Sequence, residues 1–171
     1  MSIVAADILY QLSGGAANSN VNAALGGAIS SVAVTDNIDN NLFDDVSAAE
    51  AAAGSVEYRG FYAKNNHGTL TLGDARAYIS SPSTSTDDEL DIGIAVEAVN
   101  VTMATIANET SAPTSVTFSR PSTYAAGLAI NSTTGLAPAA ARGIWVRRTV
   151  NSSAAAATGD AATIKVEGTT T

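Results

Sequence analysis

The side chains best suited to chemistry in this sequence are a single histidine and a few runs of acidic residues. His67 lies in an Asn-Asn-His-Gly stretch, and it is the sole histidine. A Ser-His-Asp mechanism needs a base positioned beside an exposed nucleophile, and no Gly-x-Ser-x-Gly elbow is present. The chain also lacks cysteine, which excludes thiolate nucleophiles, disulfides and thiolate metal sites. We therefore interpret His67 as a turn residue.

The acidic segment 36–45 (DNIDNNLFDD) has two interpretations. Carboxylates and amides at short spacing suit a hard cation such as Ca²⁺, but the glycine and glutamate of an EF-hand loop are missing. The alternative, which we favour, is a connecting loop with Asx turns that is pinned by Leu42 and Phe43.

Two acidic runs, 44–45 and 87–89, raise the possibility of glycoside hydrolysis, which uses a pair of carboxylates. Neither run has the neighbouring Trp and Tyr residues that line a sugar cleft, so both are interpreted as solvated loops. The glycine pairs 14–15 and 26–27 lack the lysine that follows in a phosphate-binding loop. The sequence predicts no enzyme, no metal and no cofactor.

Arg147 and Arg148 form the only adjacent basic pair. Successive residues of a strand point to opposite faces, so these two side chains cannot bind one phosphate together. An ordinary ion pair and a subunit contact both remain open for them.

Charge and composition restrict the partners further. The 171 residues include 8 Lys and Arg against 16 Asp and Glu, for a formal net charge of −8. This balance disfavours nucleic acid and anionic membranes, because phosphate binding needs clustered basic residues. The first 13 residues lack a basic region and contain Asp7, so no signal peptide is predicted. No apolar run approaches the roughly 20 residues that cross a bilayer.

The stretch 55–66 (SVEYRGFYAKNN) is the element around which we expect the fold to form. Val56, Tyr58 and Tyr62 alternate with Glu57, Arg59 and Phe61, which is typical of a strand with two different faces. The turn residues 65–68 predict a hairpin with a second strand from Thr69, and we place this hairpin at the centre of a β-sandwich.

Most of the remaining chain also has strand character, with turn signals every 8 to 15 residues or so. Strands are predicted at 2–12, 28–35, 69–80, 90–98, 116–118, 126–130, 143–150 and 162–167, with a bulge at 73–74. One short helix is predicted at 47–54, because Ser47 and Gly54 flank an alanine-rich run. The fold class is therefore all-β, an antiparallel sandwich of jelly-roll or immunoglobulin-like type.

We divide the chain into an N-terminal arm, 1–27, and a sandwich domain, 28–171. The arm contains paired glycines and polar residues at 13–27 (SGGAANSNVNAALGG), so it is expected to be irregular and ordered by a partner.

Several segments resemble structural proteins of tailed-bacteriophage virions. The resemblance is carried by ILYQLSGGAANSN, LGGAISS, NLFDDVSAAEAAAGSVEYRGFYAKNNHGTLTL, TIANETSAPTSVTFS, GIWVRRTV and IKVEG. Its most specific parts are the segment from Phe43 to Asn65 and the strand containing Trp145. A larger residue than Gly60 is expected in the first of these. The resemblance implies assembly rather than a reaction.

The resulting hypothesis is a capsid decoration (cement) protein on the outer surface of a phage head. It would form a trimer and bind the major capsid protein, and deletion of residues 1–27 would abolish attachment but leave a folded domain. A tail, neck or fibre component and a glycan-binding module are the alternatives. The residues expected at the interface are Leu12, Val21, Leu25, Tyr58, Arg59, Phe61, Trp145 and Arg147.

Overall fold

The computed structural model describes residues 2–131 and 135–171, and it confirms an all-β, antiparallel, sandwich-like fold. Met1 of the predicted arm and residues 132–134 of the predicted domain lie outside this description. The strands are β1 (Ile8–Leu12), β2 (Ser55–Asn65), β3 (Leu72–Ser81), β4 (Asp88–Ile94), β5 (Leu128–Ala129), β6 (Ala141–Val150) and β7 (Thr163–Thr170). One α-helix, α1 (Ala48–Ala53), and two 3-10 turns, Ala5–Asp7 and Val21–Ala23, complete the regular elements.

The strands form a large sheet in the order β1-β2-β6-β4 and a small sheet in the order β5-β3-β7. From β3 onward, each strand lies in the opposite sheet from the strand before it. The predicted hairpin is therefore wrong, since β2 and β3 belong to different sheets. Both edges of β2 are already occupied by β1 and β6, so the chain leaves the sheet after Asn65 and crosses the sandwich.

The main core lies between the two sheets, and it confirms that Phe61 lies on the opposite face of β2 from Tyr58 and Tyr62. Phe61 from β2, Ile144 and Val146 from β6, Ile79 from β3 and Val166 from β7 are among its buried residues. This alternation of inward and outward side chains is the feature that the sequence specifies most directly.

Local sequence signals account for the helix and the bulge. The side chain of Ser47 accepts a hydrogen bond from the amide of Glu50, while Glu50 accepts one from the amide of Ser47, which is a capping box. Gly54 ends the helix at a φ of 81°. The register between β3 and β7 shifts between Gly73 and Arg76, and Asp74 has a φ of 44°, so the predicted bulge is confirmed.

The predicted N-terminal arm is part of the sandwich body rather than a free segment. β1 pairs with β2, and Ser13 and Ala24 beyond it are fully buried. Gly60 of β2 donates its amide hydrogen to the carbonyl of Ala24 at 2.7 Å, and its carbonyl accepts from the Ser13 hydroxyl at 2.7 Å. The polar loop is ordered because it forms hydrogen bonds with backbone groups of β2 beyond the end of β1, which would otherwise lack a partner.

The outer face of the large sheet is covered by residues 95–119, which we call the loop layer. A second apolar cluster lies beneath it and contains Tyr58, Tyr62, Met103 and Trp145. The Tyr62 hydroxyl donates to the carbonyl of Gly27 at 2.6 Å and accepts from the amide of Met103 at 2.8 Å. This single group therefore joins the loop layer to residues 13–27, which we call the N-terminal loop.

Candidate functional site

His67 occupies a structural position in the turn after β2. Its Nδ1 atom accepts hydrogen bonds from the amides of Thr69 at 3.1 Å and Leu70 at 3.0 Å. Its own amide donates to Oδ1 of Asn65. Within residues 2–131 and 135–171, no carboxylate forms a hydrogen bond or ion pair with this imidazole. The arrangement shapes a turn and agrees with the interpretation of His67 made from the sequence.

The largest group of charged side chains is a buried ion cluster, formed by Asp44, Glu57, Arg59, Glu109 and Arg148. Glu57 and Arg148 face each other across β2 and β6, and Oε2 of Glu57 lies 2.5 Å from Nη2 of Arg148. Nη2 of Arg59 lies 2.5 Å from Oε2 of Glu109, and Arg59 is 0% exposed. Glu57, Arg59 and Arg148 are buried, while Asp44 and Glu109 pair with the arginines from partly exposed positions. The buried charges are thereby compensated, as buried charges must be.

The buried ion cluster holds loops that are far apart in the sequence. Arg148 donates to the carbonyl of Asp44 at 2.6 Å, and Arg59 donates to Oδ1 of Asn22 at 3.2 Å. The guanidinium carbons of the two arginines lie 4.9 and 5.5 Å from the centre of the Phe43 ring. A cation over an aromatic face is an attractive arrangement. The cluster therefore fixes the N-terminal loop, the acidic segment and the loop layer to one end of the sheet.

Burial and neighbouring carboxylates affect the proton affinity of Glu57. Burial raises the pKa of its carboxyl, and the nearby Glu50 carboxyl raises it further. The Arg148 guanidinium acts in the opposite direction, but the net pKa remains raised. An acid in this environment is held ionised mainly by its arginine, so the pair depends on both partners.

The acidic segment 36–45 is arranged as a connecting loop. Oδ1 of Asp44 lies 3.6 Å from Nη2 of Arg148 and 4.0 Å from Nη2 of Arg59, while Oδ1 of Asp36 accepts from the amide of Asn37. Leu42 is buried and Phe43 stacks on the arginines, as the loop interpretation requires. Among the described residues, no group of three or more potential ligands could hold a metal ion.

Arg147 points to the other face of the large sheet, as the alternation predicted. Its Nη2 atom lies 2.7 Å from Oδ2 of Asp91, and its guanidinium carbon lies 5.2 Å from the centre of the Phe118 ring. Arg120 joins the same group, with Nε 3.3 Å from Oδ1 of Asp91 and Nη2 2.9 Å from Oε2 of Glu89. Both members of the Arg147–Arg148 pair thus form ion pairs, on opposite faces.

Asp160 fastens two loops at the edge of the sandwich. Its carboxylate accepts four hydrogen bonds, from the Ser83 hydroxyl, the Thr84 amide and hydroxyl, and the Ser85 amide. Burial alone would raise the pKa of Asp160, but these hydrogen bonds outweigh it and the pKa is lowered. The neighbouring acidic run 87–89 contributes to the same junction, because Asp87 accepts from the amide of Ala155. These carboxylates hold loops together.

A shallow cleft of about 220 Å³ opens in the loop layer. Ile106, Pro113 and Val116 line it, Trp145 contributes to its lining from β6, and Glu97 is its one ionisable group. Glu97 accepts a hydrogen bond from the amide of Ala104, which itself lines the cleft. Thr105, Ser111 and Thr114 also line the cleft, so it offers a mixed polar and apolar surface.

Most of the residues expected at a subunit interface lie in the core instead. Five of them are buried within the chain: Leu12, Tyr58, Arg59, Phe61 and Trp145. The reason is that the chain itself covers both faces of β2 and β6: the small sheet covers the inner face, and the loop layer covers the outer face. Three are partly exposed: Val21, Leu25 and Arg147.

Two polar residues that sequence reasoning passed over organise the structure. Asn65 is fully buried, and its side-chain amide donates to the carbonyls of Leu70 and Leu136, both at 2.8 Å. The Tyr10 hydroxyl reaches from β1 across the sandwich and accepts from the amide of Val166 at 3.0 Å. The contacts to Leu136 and Val166 have no local signal, because these partners are distant in the sequence.

No family model, curated protein or solved structure matches this chain. Among the described residues, no helix has both the length and the apolar character to span a membrane.

Proposed function

We propose that this chain is a non-enzymatic structural protein of a bacteriophage virion, and specifically a decoration protein that attaches to the outside of the head. Its partner would be the major capsid protein, and the attached form would be a trimer. The proposal is motivated by the sequence resemblance together with the acidic, small-residue composition. Acidity is unsuited to the DNA-facing side of a shell, since packaged DNA is itself a dense array of negative charge.

One structural observation carries most of the support for an assembly role. The charged side chains of the buried ion cluster bind loops to the sheet, and Asp160 does the same at the sandwich edge. Even the imidazole of His67 accepts hydrogen bonds from backbone amides. Groups that an enzyme would direct into a cleft are here used to make long loops rigid. A rigid, loop-covered sandwich suits a protein that must present a fixed surface to neighbours.

The partly exposed candidates Val21, Leu25 and Arg147 remain available for such contacts. Stable attachment needs roughly 1,600 Å² of buried surface per interface. The deletion of residues 1–27 is not a useful test, because it would remove β1 and the loop that covers β2. Substitutions of surface residues that leave the fold intact are a better test of attachment.

Electron microscopy of virions that carry a labelled copy of the chain tests the proposal. Hundreds of copies distributed over the head are expected. A few copies at one vertex or along the tail would support the tail, neck or fibre alternative instead. Absence of the label from purified virions would overturn both.

The glycan-binding alternative predicts an exposed aromatic platform. The sole tryptophan, Trp145, is 1% exposed beneath the loop layer, so it cannot form such a platform without displacing that layer. Binding to a glycan array would nevertheless revive this alternative, and no binding is expected.

A further inference from the structure

The outer edge of β7 is an unpaired strand edge. β7 pairs with β3 on one side, where Thr171 and Thr71 just beyond the strands exchange two backbone hydrogen bonds. Because hydrogen-bond direction alternates along a strand, the backbone groups of Ile164, Val166 and Gly168 point to the other side. Within the described residues, no backbone group pairs with them there. Such an edge is a template for a further strand.

A side chain, rather than a strand, closes this edge. The hydroxyl of Tyr10 accepts the hydrogen bond of the Val166 amide at 3.0 Å, at the middle of the free edge. Nearer the end of the strand, the amide of Ile3 donates to the hydroxyl of Thr170 at 3.1 Å. Tyr10 therefore occupies the position that an incoming backbone carbonyl would take.

The sequence of β7 is complementary to itself in an antiparallel arrangement centred on Val166. In that register each Lys165 lies opposite Glu167 of a second copy, while each Ile164 lies opposite Gly168. Lys165 and Glu167 both project from the outer face and already form an ion pair within one strand. They would occupy non-hydrogen-bonded positions, where facing side chains are closest. The four charges would then alternate in sign across the new pair of strands.

We propose that β7 is a pairing edge for β7 of a second copy of this chain, and that Tyr10 is the gate that keeps it closed. Opening the gate in both copies would replace two hydrogen bonds to a hydroxyl, one per chain, by about six backbone hydrogen bonds over the central five residues of each strand. This inference concerns only the purified chain, so it stands or fails independently of any attachment to a capsid.

Sedimentation velocity of the Tyr10→Phe variant over a range of concentrations tests the gate. This change keeps the ring and removes only the acceptor. The variant is expected to dimerise more tightly than the parent chain. Tyr124→Phe, which loses a hydroxyl contact to Asp74 elsewhere, is expected to behave like the parent.

The charges of β7 test the pairing register. Adding Lys165→Glu to Tyr10→Phe should weaken the dimer about tenfold by placing like charges opposite each other. Exchanging both charges (Lys165→Glu with Glu167→Lys) should restore it. Equal association of Tyr10→Phe and parent, or a dimer that ignores Lys165→Glu, would overturn the proposal.

Cross-linking gives a second test that does not depend on the stability of the Tyr10 variant. The chain contains no cysteine, so Lys165→Cys and Glu167→Cys each introduce a unique thiol. Facing residues at non-hydrogen-bonded positions have Cα atoms about 4.5 Å apart, which a disulfide can span. Mild oxidation should cross-link a mixture of the two variants in the parent background faster than either variant alone. Equal rates in the mixture and in the single variants, or no cross-linking at all, would contradict the pairing register.

Discussion

Met103 of the loop layer occupies the space that a side chain at Gly143 would fill. A β-carbon added to Gly143 would lie 2.4 Å from Cγ and 2.5 Å from Sδ of Met103. The same methionine approaches Gly60, where an added β-carbon would lie 2.9 Å from its Cε atom. Two glycines on neighbouring strands thus form a notch that receives one side chain. This explains why a small residue stands at position 60, where a larger one was expected.

The first prediction concerns this notch. Gly143→Ala should lower the free energy of unfolding by about 1–3 kcal/mol, because overpacking forces neighbouring groups to move. Gly68→Ala is the matched control, since an added β-carbon there meets no atom within 4 Å. Urea denaturation followed by circular dichroism measures both. If the two variants have the same midpoint, Met103 is not held in the notch as described.

The second prediction concerns the hydroxyl of Tyr62. Tyr62→Phe removes the group that joins Gly27 to Met103, and it leaves a partly buried carbonyl and a buried amide with one partner fewer. The expected loss is about 1–3 kcal/mol, since unsatisfied buried polar groups carry the full cost of desolvation. Amide hydrogen exchange should also accelerate at Met103, more than at Val166 on the far side of the sandwich. Unchanged exchange at Met103 would show that the loop layer is held by other contacts.

The third prediction concerns the buried pair Glu57 and Arg148. Either Glu57→Met or Arg148→Met should destabilise the fold by about 3–5 kcal/mol, because each leaves a buried charge without its nearest counter-charge. The double variant should cost much less than the sum of the two. A double-mutant cycle measured by chemical denaturation gives the coupling directly. Additive losses would mean that the two side chains do not interact through the geometry seen here.

The fourth prediction concerns the stability of the fold at acidic pH. Hydrogen bonding to Ser47 lowers the pKa of Glu50, and pairing with Arg120 lowers that of Glu89; the pKa of Asp160 is lowered as well. A carboxyl with a lowered pKa in the folded state contributes stability above its unfolded pKa and loses it as the pH falls through the folded value. Glu57 and Asp88, whose pKa values burial raises, contribute in the opposite direction.

Stability should therefore fall as the pH drops below about 4, near the ordinary pKa of these acids. Asp160→Asn should flatten this dependence, because it removes one of the groups that must be protonated. Thermal melts between pH 3 and pH 7 provide the measurement. A slope identical to that of the parent would show that Asp160 makes no net contribution to acid sensitivity.

Periodicity in the sequence was enough to locate most of the strands and both of their faces. The alternation through 55–62 correctly placed Tyr58 and Phe61 on opposite sides of β2, and that through 143–150 did the same for Arg147 and Arg148. The helix at 48–53 and the bulge near Asp74 were also predictable, because their signals lie within a few residues. Such local preferences act wherever the segment is placed in the fold.

The partners of each strand were decided only by the tertiary structure. The turn after Asn65 looked like a hairpin, yet β3 lies in the other sheet, because β1 and β6 occupy both edges of β2. The segment 13–27 looked like a free arm for a similar reason. This segment forms hydrogen bonds to the backbone of Gly60, a residue more than thirty positions away in the sequence. No local sequence pattern predicts such a contact.

The sequence by itself thus determined an acidic, cysteine-free chain of short strands with defined inner and outer faces. The tertiary structure decided which of those faces is covered by loops, and so moved Tyr58, Arg59 and Trp145 from an expected interface into the core. The physical reason is that the alternation of side chains along a strand shows only that its two faces differ in character. Whether a face is buried by its own chain or by another depends on long loops whose positions are set by distant hydrogen bonds and by paired charges such as Glu57 and Arg148.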